Sequence, residues 1–182
     1  MTRRLHETPA PGPQGHEHPA CLPDEALLRA CETVRGRASG PGGQHRNKVE
    51  TAIELTHRAS GVSAAASERR SQSENLKVAL RRLRVNLALE VRCEGSHRAG
   101  PSALWLSRLR GGRIVLSPAH ADFPLMLAEA LDVLACRAWD PAEAAVALGC
   151  TASQLVKLLK DEPRALAAVN RMREGSGRHA LR

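Results

Sequence analysis

The sequence has almost no aromatic residues. Trp105, Phe123 and Trp139 are the whole set in 182 residues, and tyrosine is absent. That scarcity argues against a sheet that stacks bases on exposed rings. Lysine is scarce as well, since 23 of the 27 basic residues are arginine. No apolar run approaches the roughly 20 residues that cross a bilayer, and no signal-peptide pattern opens the chain. A cytoplasmic protein without a membrane contact is expected. The five cysteines, Cys21, Cys31, Cys93, Cys136 and Cys150, are odd in number. No two of them have the two-residue gap of a zinc knuckle, so reduced thiols are expected. His6, His16 and His18 fall in a proline-rich stretch without periodicity. No metal or other cofactor is expected.

What is present is positive charge, and it is unevenly placed. Residues 1–28 carry a net −2, residues 29–113 a net +10, and residues 114–182 a net zero. At 42% hydrophobic and 25% charged, the composition is globular. A cationic block rich in guanidinium groups, with uncharged flanks, suits phosphate oxygens as its partner. Binding through it should weaken with salt.

The pattern along the chain predicts an α+β fold. A small antiparallel or mixed sheet should pack on one long helix, with an exposed glycine-rich loop, followed by an all-helical C-terminal segment. The expected organisation is a flexible leader over 1–20, a first domain over 21–93, and a linker with a possible hairpin over 94–121. A helical domain follows over 122–173, and a basic tail over 174–182. Within the first domain, residues 31–38 are a candidate strand. Val49, Thr51, Ile53 and Leu55 alternate with polar neighbours over 48–58, as in a half-buried strand. Ala59-Ser60-Gly61 reads as a turn, and a return strand begins at Val62. Ser71-Gln72-Ser73-Glu74 has the spacing of a capping box. Behind it, Leu76, Leu80, Leu83, Leu87 and Val91 share a helix face, with Lys77, Arg81, Arg82 and Arg84 expected to point outward. Further on, Asp140-Pro141, Gly149 and Thr151 punctuate two short helices in the manner of a helix-turn-helix unit. With no net charge there, packing or docking is the simpler role for it, and reading DNA the sharper one.

Between the first two strands lies Ser39-Gly40-Pro41-Gly42-Gly43-Gln44-His45-Arg46-Asn47-Lys48. Two adjacent glycines can adopt positive φ and let the backbone approach a substrate closely. Gln44 has no useful pKa, but it can offer a backbone N–H to developing negative charge and an amide to a water. This segment resembles the Gly-Gly-Gln loop of class I peptide chain release factors. The resemblance extends over about residues 31–92. It includes Arg37, Val49-Glu50-Thr51-Ala52, Thr56-His57-Arg58, Ser60-Gly61, Arg70-Ser71-Gln72, Asn75 and Ala79-Leu80. Arg46 departs from it, since the family usually has an apolar residue there.

The resemblance implies hydrolysis of the peptidyl-tRNA ester in the ribosomal peptidyl transferase centre. Gly42, Gly43 and Gln44 would form the catalytic loop. Arg37, His45, Arg46, Asn47, Lys48, Arg70, Lys77 and Arg81 would contact RNA. It also implies Gln44 as a target for a glutamine methyltransferase, and a protein that works as a monomer on the ribosome. Class I release factors carry a separate stop-codon-reading domain, and nothing before residue 30 or after residue 92 resembles one. Codon-independent rescue of stalled ribosomes is therefore expected. In small rescue-type relatives a basic tail lies in the empty mRNA channel, and Arg171, Arg173, Arg178, His179 and Arg182 would be a short version of it. Two other readings stay open: a non-catalytic RNA- or DNA-binding protein that uses the helix-turn-helix-like unit, and a hydrolase acting on peptidyl-tRNA held by split large subunits.

Overall fold

The computed structural model describes residues 18–36, 51–93 and 100–182. Three strands, β1 (Cys31–Gly36), β2 (Ala52–His57) and β3 (Ser63–Ala66), form a purely antiparallel sheet in the order β1-β2-β3. The sheet has no parallel pair, because each strand follows its neighbour directly in sequence and returns beside it. Alternation holds in β2, where Ile53 and Leu55 are buried and Glu54 is exposed. In β3 the inward positions are Ala64 and Ala66, small residues that let a helix lie close to the sheet.

A short helix α1 (Asp24–Arg29) leads into β1, with Asp24 and Glu25 in its first turn. The helix on the sheet is α2 (Gln72–Glu90), 19 residues long. Its start falls where the Ser71 signal places it, yet Ser71 makes no capping hydrogen bond to the helix backbone. The Ser71 hydroxyl meets the Ser73 hydroxyl at 2.8 Å instead. Asn75 does the local fastening: its amide oxygen accepts from Arg69 N, and its amide nitrogen donates to the Arg69 and Thr51 carbonyls. The buried face of α2 includes Leu80, Leu83 and Leu87, but also Ala79, Arg84, Val85 and Ala88. It is wider than a one-sided seam because a second helix covers α2 from another side.

That second helix is α4 (Phe123–Cys136), which follows α3 (Ala103–Ser107) and the two-stranded hairpin of β4 (Leu109–Arg110) and β5 (Arg113–Ile114). Gly111 and Gly112 both have positive φ, 56° and 74°, which the two-residue turn of that hairpin requires. Three helices complete the chain: α5 (Pro141–Leu148), α6 (Ala152–Lys160) and α7 (Pro163–Gly175). Buried residues of the sheet, α2, α4, α5, α6 and α7 join in one contiguous core. The expected split into two domains is thus not a split of the core. Trp105 is fully buried within that core and donates from Nε1 to the Leu148 carbonyl at 2.8 Å.

Two expectations need correcting. The leader over 1–20 was expected to be flexible throughout, but His18 and Ala20 are completely buried, in and beside a 3₁₀ turn over Pro19–Cys21 that packs on α2 and α4. The tail over 174–182 begins inside α7 and then folds back. The Leu181 N–H donates to the Asn170 amide oxygen at 2.7 Å, and Arg173 Nε donates to the His179 carbonyl at 2.9 Å. No single described helix is long and apolar enough to cross a membrane.

Candidate nucleic-acid interface and loop anchor

The sheet brings the two feet of the Gly-Gly-Gln segment together. Gly36 and Ala52 are the last paired residues of β1 and β2, so the intervening segment leaves from adjacent positions at one end of the sheet. Arg37, Gly42, Gly43, Gln44, His45, Arg46, Asn47 and Lys48 all lie outside the described residues. One foot is secured from below. Asn75, fully buried, donates to the Thr51 carbonyl at 2.6 Å and so ties the start of α2 to the start of β2. At the far end of the sheet, His57 Nδ1 meets the Ser60 hydroxyl at 2.8 Å, and Gly61 turns the chain with φ 72°. Arg58 reaches back to the Arg29 carbonyl at 2.9 Å. Asn75, His57, Arg58, Ser60 and Gly61 therefore build the frame that presents the segment.

The described cations of α2 divide into two kinds. Arg70 and Lys77 are exposed, and their side chains make no hydrogen bond or ion pair among the described residues. The arginines further along do not form an outward face. Arg84 is buried and donates to the Ala20 and Leu22 carbonyls and, at 2.6 Å, to Asp24. Arg82 pairs with Glu68 and donates to the Ala65 carbonyl at 2.8 Å. Arg81 donates to the Pro118 carbonyl and, at 3.0 Å, to the His120 carbonyl. A guanidinium can satisfy several carbonyls at once, and these are spent on fastening loops to the helix. The i, i+3/i+4 pattern could not show this, because the partners lie far away in sequence.

Near the end of α2, Arg92 donates to Asp132 of α4 at 3.0 Å and caps the helix through the Ala88 and Leu89 carbonyls. Burial lowers the Arg92 pKa, and the Asp132 carboxylate beside it opposes that shift. His18, Cys93 and Asp132 bring potential metal-ligand atoms within 4.8 Å of one another. The chemistry does not fit a metal. The His18 ring is used on both sides, accepting from Ala20 N at 3.0 Å and meeting the Val91 carbonyl at 3.1 Å. The Asp132 oxygens accept from Arg92 and from Cys93 N. Burial also pushes the nearby Cys21 thiol up to about 12, so it offers no thiolate near neutral pH. This cluster is a polar knot holding residues 18–21 against α2 and α4.

Comparison with known proteins agrees with this frame. A family model described as the RF-1 domain matches residues 29–102. The chain is 46% identical to peptide chain release factor 1 of Acidiphilium cryptum over 101 residues, covering 49% of this chain and 28% of that protein. It is 38% identical to the Gluconobacter oxydans release factor 1 over 95 residues, 46% of this chain and 27% of that one. Over a shorter stretch of 51 residues it is 51% identical to release factor 1 of Ureaplasma parvum, 28% of this chain and 14% of the relative. Residues 29–102 are thus similar to the RF-1 domain of peptide chain release factors. The chain spans about a quarter or less of the length of these relatives. No solved structure matches it.

The RF-1 domain thus takes in β1, β2, β3 and α2, and it ends just before α3. The residues beyond it were the least legible in the sequence. The α5–α6 pair has the expected caps: Asp140 accepts from Ala142 N and Glu143 N, Gly149 is left-handed, and Thr151 accepts from Gln154 N. The two helices meet at 103°, within the helix-turn-helix range. One face of α6 is engaged by the hairpin, because Gln154 Oε1 accepts from Ile114 N at 3.3 Å.

Proposed function

We propose that this protein hydrolyses the peptidyl-tRNA ester on the ribosome without reading a stop codon, releasing peptides from stalled complexes. The observation that carries this reading is the Gly-Gly-Gln sequence, Gly42-Gly43-Gln44, set between β1 and β2 of a release factor domain. In this reading the two glycines let the backbone approach the ester. The Gln44 N–H faces the oxyanion, and its side chain admits a water. An ester needs little more than a positioned water and a stabilised oxyanion, and Gln44, whose amide does not titrate, is not asked to act as a general base. Arg37, His45, Arg46, Asn47 and Lys48 meet the surrounding ribosomal RNA, with Arg70 and Lys77 adding contacts from the start of α2. Arg81 supports the loop it is bonded to. The protein acts in the cytoplasm as a monomer, and Gln44 is a substrate for a glutamine methyltransferase.

The test is peptide release from ribosomes stalled on an mRNA without a stop codon in the decoding site. Wild-type protein should release peptide there. Gly43→Ala, which strains the backbone that aims the Gln44 N–H, should lower the rate by roughly 10²–10³-fold, the usual loss when an oxyanion donor is misplaced. Gln44→Ala, which keeps that N–H but loses the amide that admits the water, should lower it as well. Unchanged release by both variants, or release confined to ribosomes displaying a stop codon, would sink the proposal. Parallel reactions on isolated large subunits and on free peptidyl-tRNA identify the true substrate.

A further inference from the structure

Outside the RF-1 domain, the hairpin, the loop after it and α6 enclose an open cleft of about 640 Å³. Its lining includes Arg108, Arg110, Arg113, His120, Gln154 and Lys157, and among the described residues no carboxylate lines it. These residues come from four places in the chain: the end of α3, the hairpin, the loop over 115–120, and α6. Counting charge along the sequence divides this cluster. Arg108, Arg110 and Arg113 close the cationic block, while Lys157 belongs to the stretch with no net charge.

The cations in the cleft are held differently. Arg108 is committed, with Nε 2.9 Å from Asp122 and its NH2 group beside both Asp122 and His120. Arg110 bonds only to nearby carbonyls, those of Ser107 and Leu109. The side chains of Arg113 and Lys157 belong to exposed residues and make no hydrogen bond or ion pair among the described residues. Gln154 pins the hairpin to α6, which brings Arg113 and Lys157 to the same cleft. Arg81 of α2 holds the other wall through the Pro118 and His120 carbonyls. The cleft is therefore a rigid cationic seat with unpaired charges inside it, joined to the helix of the RF-1 domain. Like charges kept close without a counter-ion repel one another, so an anion is the expected occupant.

We propose that this cleft binds the phosphate backbone of structured RNA as a second contact, separate from the Gly-Gly-Gln segment. The choice of RNA over other polyanions rests on the ribosomal reading above; the anion site itself rests on the cleft. Arg113 and Lys157 supply the principal phosphate contacts, Arg110 adds a third, and Arg108 shapes the wall. Fork-shaped guanidinium donors and a compact ammonium suit successive phosphate oxygens.

The test measures binding of the full-length protein to a labelled RNA stem-loop by fluorescence anisotropy, across a salt series. The variant is Arg113→Glu with Lys157→Glu. A control, Arg29→Glu with Arg137→Glu, makes the same charge change at exposed positions away from the cleft. Circular dichroism and thermal melting show that both fold. The cleft variant should bind about tenfold more weakly or worse at physiological salt. Its log–log salt dependence should flatten by roughly 0.7–0.9 for each lost phosphate contact. The control should stay within about twofold of wild type, since charges away from the contact act only through the screened general field. The proposal is overturned if the cleft variant binds like wild type or like the control. It is also overturned if wild-type protein does not bind the stem-loop, or if a DNA hairpin of the same sequence binds as tightly and loses as much. Peptide release is measured in parallel. Absent release with intact cleft-dependent RNA binding would defeat the hydrolase reading alone, and unaltered binding by the cleft variant would defeat this inference alone.

Discussion

The two halves of the molecule differ in net charge far more than in the cations they leave unpaired. Residues 29–113 carry a net +10, more than the +8 of the whole chain, yet along and just after α2 the guanidinium groups of Arg81, Arg82, Arg84 and Arg92 are engaged by carbonyls and carboxylates. Residues 114–182 have no net charge, yet Lys157 stands unpaired in a cleft beside Arg113. Net charge is thus a poor guide to available charge. A guanidinium that fastens a loop contributes to the field around the protein but has few donors left for a phosphate. What matters for recognition is which cations the fold leaves without partners.

The same arginines also decide whether the halves behave as one body. Arg92 and Asp132 join the end of α2 to α4, and Asp132 is buried. Arg92→Ala takes the guanidinium away from the buried Asp132 carboxylate, which keeps the Cys93 N–H, and should cost about 3 kcal/mol. This is the largest effect on stability expected here. Chemical unfolding of wild-type protein should show one transition by circular dichroism and by the fluorescence of Trp105 and Trp139, because one core spans both halves. Arg92→Ala should lower the midpoint for both signals together. If only the fluorescence signal moved, the halves would be separate folding units and the comparison would have to be redrawn.

A smaller effect is expected at the anchor of the first half. Asn75 is fully buried and makes three hydrogen bonds that join the Arg69 turn to the Thr51 carbonyl. Asn75→Ala removes all three and takes this partner from the Arg69 and Thr51 backbone groups, at a cost of roughly 2–3 kcal/mol. Because Thr51 stands at the foot of the Gly-Gly-Gln segment, peptide release at a temperature where the variant is fully folded should fall as well. A loss of stability with no change in release rate would make Asn75 a stabilising residue only.

Much of this first half was legible in the sequence. Alternation located β2, the glycine at 61 located the turn, and Ser71 located the start of α2. The mechanism at that start was not legible. A capping-box spacing was present, but the hydroxyl bonds Ser73 while Asn75 supplies the contact to the backbone. Hydroxyls and amides a few residues apart compete for the same donors, and spacing alone does not rank them. The fate of Arg81, Arg82 and Arg84 was hidden for another reason: their partners are up to 64 residues away. The cleft was hidden because it assembles residues that are neutral or cationic by turns along the chain.

The second half offers the mildest and most controlled comparison. Its caps follow local rules, so they should respond to pH as isolated caps do. The Asp140 carboxylate accepts from the Ala142 and Glu143 N–H groups, which together hold its pKa below the usual range. Nearby Arg178 and Arg173 act in the same direction. A depressed folded-state value means the stabilisation is fully present above the unfolded pKa of about 3.9 and is lost as pH falls through the folded one. Asp140→Ala should cost about 1 kcal/mol at neutral pH, typical for an N-cap. The gap in melting temperature between wild type and Asp140→Ala should then shrink below pH 4, because a protonated carboxyl is a weaker acceptor for both N–H groups. Asp140→Asn keeps an acceptor without a titrating charge, so its melting temperature should be steadier than that of wild type across the same range. A gap between wild type and Asp140→Ala that stays constant to pH 2.5 would show that the cap works without its charge, and that the second half, like the first, is governed by partners its local sequence does not reveal.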